Sequence, residues 1–171
     1  VSFSLKPHPL IAHWVPGVTF LVLAWGSYHD WNYVELPTAA SEAALLTLGA
    51  SVMAFVIGAV FDAVRNSFIE GFLDKTKGRK IEWSRVITAD KEQLDRLENY
   101  YFTYYVLDWN LALGIFALVV LWLVAPPQGL ECGCFGARLI SIALLLGIAL
   151  LLGYDAMSLR AEIKEVFDKW R

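Results

Sequence analysis

Residues 43–64 read AALLTLGASVMAFVIGAVFDAV, and this stretch decides the fold. One ionisable group, Asp62, interrupts it, and only near its end. A helix needs about 20 apolar residues to cross the hydrocarbon core of a bilayer. Three other runs have the same character. Pro9 to Tyr28 carries His13 as its one titratable side chain before the closing tyrosine; Tyr104 to Ala125 has Asp108 near its start; Leu139 to Met157 has Asp155 near its end. No run places a charge at its centre. Period-two alternation is absent, which argues against a membrane barrel. Helices satisfy their own backbone groups in lipid. The sequence therefore predicts an all-α integral membrane protein, a single membrane domain over 1–171. It has four transmembrane helices, at about 9–28, 43–64, 104–125 and 139–157.

Composition points the same way. Hydrophobic residues make up 57% of the 171, charged residues 18%, and mean hydropathy is +0.51. Soluble domains run at about 45–50% apolar and about 25% charged, so the excess must face lipid or a large partner. A net charge of −3 and two cysteines exclude a basic nucleic-acid binder and a disulfide-dense scaffold.

Lys and Arg in the flanks set the orientation. Residues 27–41 contain none, and residues 125–138 contain Arg138 alone. Residues 73–98 hold Lys75, Lys77, Arg79, Lys80, Arg85, Lys91 and Arg96; the tail 158–171 holds Arg160, Lys164, Lys169 and Arg171; Lys6 precedes the first run. Both termini and the 73–98 loop are thus expected in the cytoplasm, the two short loops outside, in a prokaryotic plasma (inner) membrane. The first run is expected to be retained, because bulky His29-Asp30-Trp31-Asn32-Tyr33 follows it instead of a small-residue cleavage site. Thr88 or Asp90 can cap a helix over 89–99, expected to continue as one rod from about 90 to 125. Leu159, Ile163, Val166, Phe167 and Trp170 recur at helical spacing and predict an amphipathic extension of the fourth helix over 158–171.

Ionisable groups inside spans are costly and face the bundle or a wet cavity. Helical phase puts Leu48, Ser51, Phe55, Gly58, Asp62, Arg65 and Ile69 on one stripe. A second carries Leu94, Leu97, Tyr101, Tyr104, Asp108, Leu111 and Ile115; a third carries Ser141, Leu144, Ile148, Leu151, Asp155 and Ser158. The small residues Ser51 and Gly58 favour helix contact within or between chains. Along the membrane, His13, Asp62, Arg65, Asp108, Asn110, Asp155 and Arg160 fall at one cytoplasmic level. They are the expected intramembrane polar network. Its leading reading is a structural ion-pair lock in which Arg65 and Arg160 neutralise Asp62, Asp108 and Asp155, with Asp108 as a hub. A pocket for a lipid phosphate or anionic effector, a metal or proton site with His13, and a catalytic role are the alternatives. No metal-ligand spacing supports a metal, and no cofactor is expected. Pro16 suits a helix first turn, and His13 would then cap that entrance. Tyr100, Tyr101, Tyr104 and Tyr105 inside, and Trp25, Tyr28, Trp31 and Tyr33 outside, read as interfacial belts.

The outer segment 126–136 contains both cysteines. A disulfide persists in an oxidising compartment, and one across a single residue closes a strained, readily exchanged ring. Redox exchange, an intermolecular disulfide and inert thiols all stay open. Cys132-Gly133-Cys134-Phe135-Gly136, between the third and fourth spans, resembles a motif of the MauE and DoxX-like redox-associated membrane proteins. The likeness covers five residues. It implies a four-helix protein linked to disulfide chemistry, with Cys132 and Cys134 as the redox pair. The long cytoplasmic loop and the Asp62/Arg65 pair have no counterpart in it.

There is no glycine-rich phosphate loop, zinc-protease helix or Gly-x-Ser-x-Gly elbow. The expected function is that of a non-enzymatic polytopic membrane component. It would be a sensor, effector or accessory subunit, such as serves prokaryotic signalling or defence. It would act as a homo-oligomer or in a larger membrane complex, with a cytoplasmic protein partner bound through 73–98. The alternatives are a thiol-redox membrane protein and an oligomeric ion channel or transporter protomer.

Overall fold

A computed structural model describes residues 7–29, 39–76, 91–97, 103–127 and 135–169. These are almost wholly helical, with no strand among the described residues. α1 runs Pro7–Tyr28 and α2 runs Ala40–Val64; a π-helical turn, Arg65–Glu70, leads without a break into α3, Gly71–Lys75. α4 is Lys91–Arg96, α5 is Thr103–Val124 and α6 is Phe135–Lys169. Residues 98–102 of the expected rod lie outside the described residues.

Among the described residues, three helices are long and apolar enough to cross a membrane: the rod Ala40–Lys75, Thr103–Val124 and Gly136–Lys169. The four-span expectation is met for these three. α1 has 22 residues, about 33 Å of helix. It is not among the three.

The packing order runs α2, α1, α5, α6, with α2 and α5 also touching. α5 is the central helix: 44% of its most apolar stretch is buried, against 17% for the α2 rod and 11% for α6. α1 and α2 meet almost backbone to backbone. A Cβ on Gly17 would lie 1.7 Å from the Ala54 carbonyl oxygen, and one on Gly58 would lie 1.7 Å from that of His13. Lipid offers no hydrophobic drive between helices, so close approach at small residues holds such a pair. Phe61 fills the space beside the crossing, edge-on to Phe20 at 5.6 Å and against Gly114 of α5.

Pro16 corrects one expectation. It lies inside α1 instead of in its first turn, and it is buried. A proline there removes the bond to the carbonyl four residues back, that of Ala12. Asn110 of α5 supplies the missing donor: its Nδ2 donates to the Ala12 oxygen at 3.1 Å.

The stripe expected on the fourth helix faces outward. Leu144 is 65% exposed and Leu151 70%, with Asp155 and Ser158 exposed too. The buried side of α6 carries Ile142, Ala156, Arg160, Ile163 and Phe167. The last two join Leu97, Tyr105, Val106 and Ala12 in an apolar cluster. At the other end, Arg138 donates to the Trp122 carbonyl at 2.7 Å, and the Tyr28 hydroxyl donates to that of Ala125. Carbonyls at the end of α5 that lack helical partners are met by these side chains.

Candidate functional site

The polar residues gather where α2 passes into its π-helical turn. Arg65 Nε and Nη2 reach Asp62 Oδ1 at 3.2 and 2.9 Å. Its Nη2 also donates to Asn66 Oδ1 at 2.9 Å, and Asn66 donates to Asp62 Oδ2 at 3.0 Å. His13 of α1 places Nε2 3.6 Å from Asp62 Oδ2. The pairing of Asp62 with Arg65 is one turn of ordinary helix, and the stripe expectation contained it.

The next contact needs different geometry. Arg65 Nη1 donates to Glu70 Oε1 at 2.9 Å. These residues are five apart, and in an α-helix residue 69 lies beneath residue 65. A π-helical turn, bonded i to i+5, brings residue 70 under residue 65. The turn runs from Arg65 to Glu70, so the ion pair and the backbone irregularity coincide.

Glu70 is the centre of the arrangement. The Tyr105 hydroxyl donates to its Oε1 at 2.6 Å, and Arg160 Nη1 pairs with its Oε2. Arg160 Nη1 also donates to the Tyr105 oxygen at 3.1 Å, and Nη2 to Asp74 Oδ1 at 2.6 Å. The Arg65 guanidinium stands 5.5 Å from the centre of the Tyr105 ring, in cation–π range. Both guanidiniums are buried. One carboxylate thus ties the α2 rod, α5 and α6 together.

The seven expected residues divide between places. His13, Asp62, Arg65 and Arg160 belong to the lock around Glu70. Asn110 serves the Pro16 gap instead. Asp108 and Asp155 meet each other across α5 and α6, within hydrogen-bond reach. Arg160 is bound to Glu70, Tyr105 and Asp74, so the expected neutralisation of Asp108 and Asp155 by arginine is replaced by a carboxyl pair. Tyr105 corrects the belt reading: it is buried, whereas Tyr104 is exposed. Cys132 and Cys134 lie outside the described residues.

Sequence reasoning missed Glu70, Asp74 and Tyr105. Glu70 was hidden by assuming unbroken α periodicity, which pointed to Ile69. One signal was available: Glu70 and Asp74 follow Arg65 in the same helical run, where carboxylates could be sought at spacings other than three and four. Asp62, Glu70 and Asp74 together face two guanidiniums.

The Nη nitrogens of both guanidiniums are committed to acceptors, while Arg160 Nε is buried without one among the described residues. Removing one member strands a buried charge, at about 3–5 kcal/mol. Among the described residues, no group of three or more His, Cys, Asp or Glu is placed to hold a metal ion. No protein-family model, curated protein or solved structure matches the chain.

Proposed function

We propose that the chain is a non-enzymatic component of a membrane assembly, a sensor, effector or accessory subunit. In this reading α1 crosses as a fourth span and both termini face the cytoplasm. The observation that carries the reading is the lock. Arg65 and Arg160 are committed to carboxylates of the same chain, which is the behaviour of an internal brace. The topology is supported by the positive segments 73–98 and 158–171 and by α1 packing between α2 and α5. The cytoplasmic face of the brace then offers 73–98 and the end of α6 to a protein partner, and the outward faces of α2 and α6 to lipid or a second copy.

The test combines topology with assembly. Single cysteines at Glu35 and Lys77, in a chain with Cys132 and Cys134 replaced by Ser, are probed with an impermeant maleimide on intact spheroplasts. Labelling of Glu35→Cys alone is expected, and labelling of Lys77→Cys from outside would refute the orientation. Native mass spectrometry of the purified chain should show an oligomer or a retained subunit. A chain that stays monomeric and partner-free refutes the assembly.

One observation favours a second reading, the oligomeric proton channel or transporter protomer. A carboxyl pair between two spans, Asp108 with Asp155, is suited to carry a proton through a bundle. Proton flux into liposomes that Asp108→Asn abolishes would support it, and absence of flux from the reconstituted chain would remove it.

A further inference from the structure

The π-helical turn Arg65–Glu70 stands between two ordinary stretches of one rod. Such a turn holds one residue more than an α turn, and single ones recur inside α-helices at functional sites. Gly and Pro are absent from it, and the backbone is α-helical on both sides: Val64 has φ −63° and ψ −47°, Gly71 φ −60° and ψ −32°. What holds the extra residue is tertiary. Glu70 meets Arg65, Tyr105 of α5 and Arg160 of α6, and one turn on Asp74 meets Arg160 at 2.6 Å.

The alternative is an unbroken α-helix. With α2 fixed, absorbing the extra residue turns everything past the joint by about 100° and advances it by about 1.5 Å. Each residue then takes its successor's place. Ile69 comes to where Glu70 stood, Phe72 to the place of Leu73, and Leu73 to that of Asp74. Phe72 is 70% exposed and Leu73 4%, so the shift buries the larger apolar side chain. Glu70 and Asp74 move to the places of Gly71 and Lys75 and leave Arg160. One register is thus polar toward α5 and α6, the other apolar. Packed helices take such discrete arrangements instead of deforming continuously.

We propose that the rod is a two-register switch whose joint is the π-helical turn and whose latch is Glu70. The structure shows the latched register. Release of Glu70 lets the turn relax and rotates the cytoplasmic end of the rod against α6. A ligand shifts such a balance only through contacts that differ between the registers, and Phe72 and Asp74 are the groups that differ. The two registers belong to the chain alone and stand apart from the partner proposed above.

Nitroxides at Lys75→Cys and Ala161→Cys, both exposed positions outside the brace, report the register by pulsed electron spin resonance. Cys132 and Cys134 are replaced by Ser in this parent chain, which is expected to give one distance. Glu70→Gln should give a second, resolved distance, because the rotation carries a side chain about 8 Å around a helix of this width. An unchanged distance, or broadening without a second peak as fraying would give, overturns the proposal. The second variant deletes Ser67, an exposed residue inside the turn. Glu70 then follows Arg65 by four, an ordinary α spacing, so the brace and the later register are kept with no π-helical turn to relax. This chain should melt no lower than the parent, keep its distance, and keep it again when Glu70→Gln is added. A lowered midpoint in the deleted chain, or a distance that moves there, overturns the two-register account even if Glu70→Gln in the undeleted chain does not fold.

Discussion

The two flanking helices, α2 and α6, are held to the bundle by different means. α2 is held along its length by shape: Gly58 and Ala54 let its backbone touch α1, and Phe61 wedges in beside them. α6 shows most of its apolar middle to the outside and is pinned near its ends. Arg138 grips the end of α5; Arg160, Ile163 and Phe167 grip the other end. The contrast follows from the solvent. Apolar side chains gain little by leaving lipid for protein, so a span needs either close backbone contact or specific polar pins. α2 uses the first and α6 the second. The π-helical turn lets the α2 rod take part in both, since it swings Glu70 to where α6 can reach it.

The largest effect is expected at the pin. Glu70→Ala takes the shared carboxylate from Arg65, Arg160 and Tyr105 and should cost about 3–5 kcal/mol, read as a lowered denaturant midpoint in mixed micelles. If α6 were held by apolar contact alone, the loss would be far smaller. Gly58→Ala tests the shape-held side. Its methyl would collide with the His13 carbonyl oxygen, and the forced separation of α1 from α2 should cost about 1–3 kcal/mol while leaving the α6 pins intact. A spin-label distance across α1 and α2 should lengthen, and one across α5 and α6 should not.

Asn110→Leu comes next. It strands the Ala12 carbonyl and should cost about 1–3 kcal/mol. The sharper form is a cycle with Pro16→Ala, which gives residue 16 an N–H able to bond Ala12. In that background the Asn110 loss should shrink, and equal losses in both backgrounds would show that the residues are unconnected. The smallest effect is at the exposed end of α6. The hydrogen bond from Lys169, and then its charge, hold Glu165 below its ordinary 4.5. A carboxylate with a lowered folded pKa adds stability that is complete above 4.5 and disappears as pH falls through the folded value. Glu165→Gln should therefore lower the melting midpoint slightly at neutral pH, and the difference from the parent chain should vanish on acidification through and below that range.

How far the fold could be read from the chain depended on the element. The apolar runs at 43–64, 104–125 and 139–157 announced three membrane-length helices, because length and lack of charge are properties of the run itself. Phase was harder. A helix in lipid is apolar on both faces, so Leu144 and Leu151 look no different from Ile142 and Ile163 until packing is known. Asp62 and Arg65 could be paired from their spacing, but Glu70 could not, because a π-helical turn changes the period with no Gly or Pro inside it to mark it. Pro16 and Asn110 were both visible, yet their link depends on two helices meeting at one height. Tyr105 missed its role by one position: Tyr104 and Tyr105 are chemically alike, and only helix rotation sends one outward and the other to Glu70.

The central claim is that the Glu70–Arg160 pair is an internal brace. A double-mutant cycle with Glu70→Gln and Arg160→Met, read by unfolding in mixed micelles, tests it most directly. A brace predicts that either single replacement is strongly destabilising and that the second costs much less once the first is made, with a coupling of about 1–3 kcal/mol. Additive losses would contradict the account.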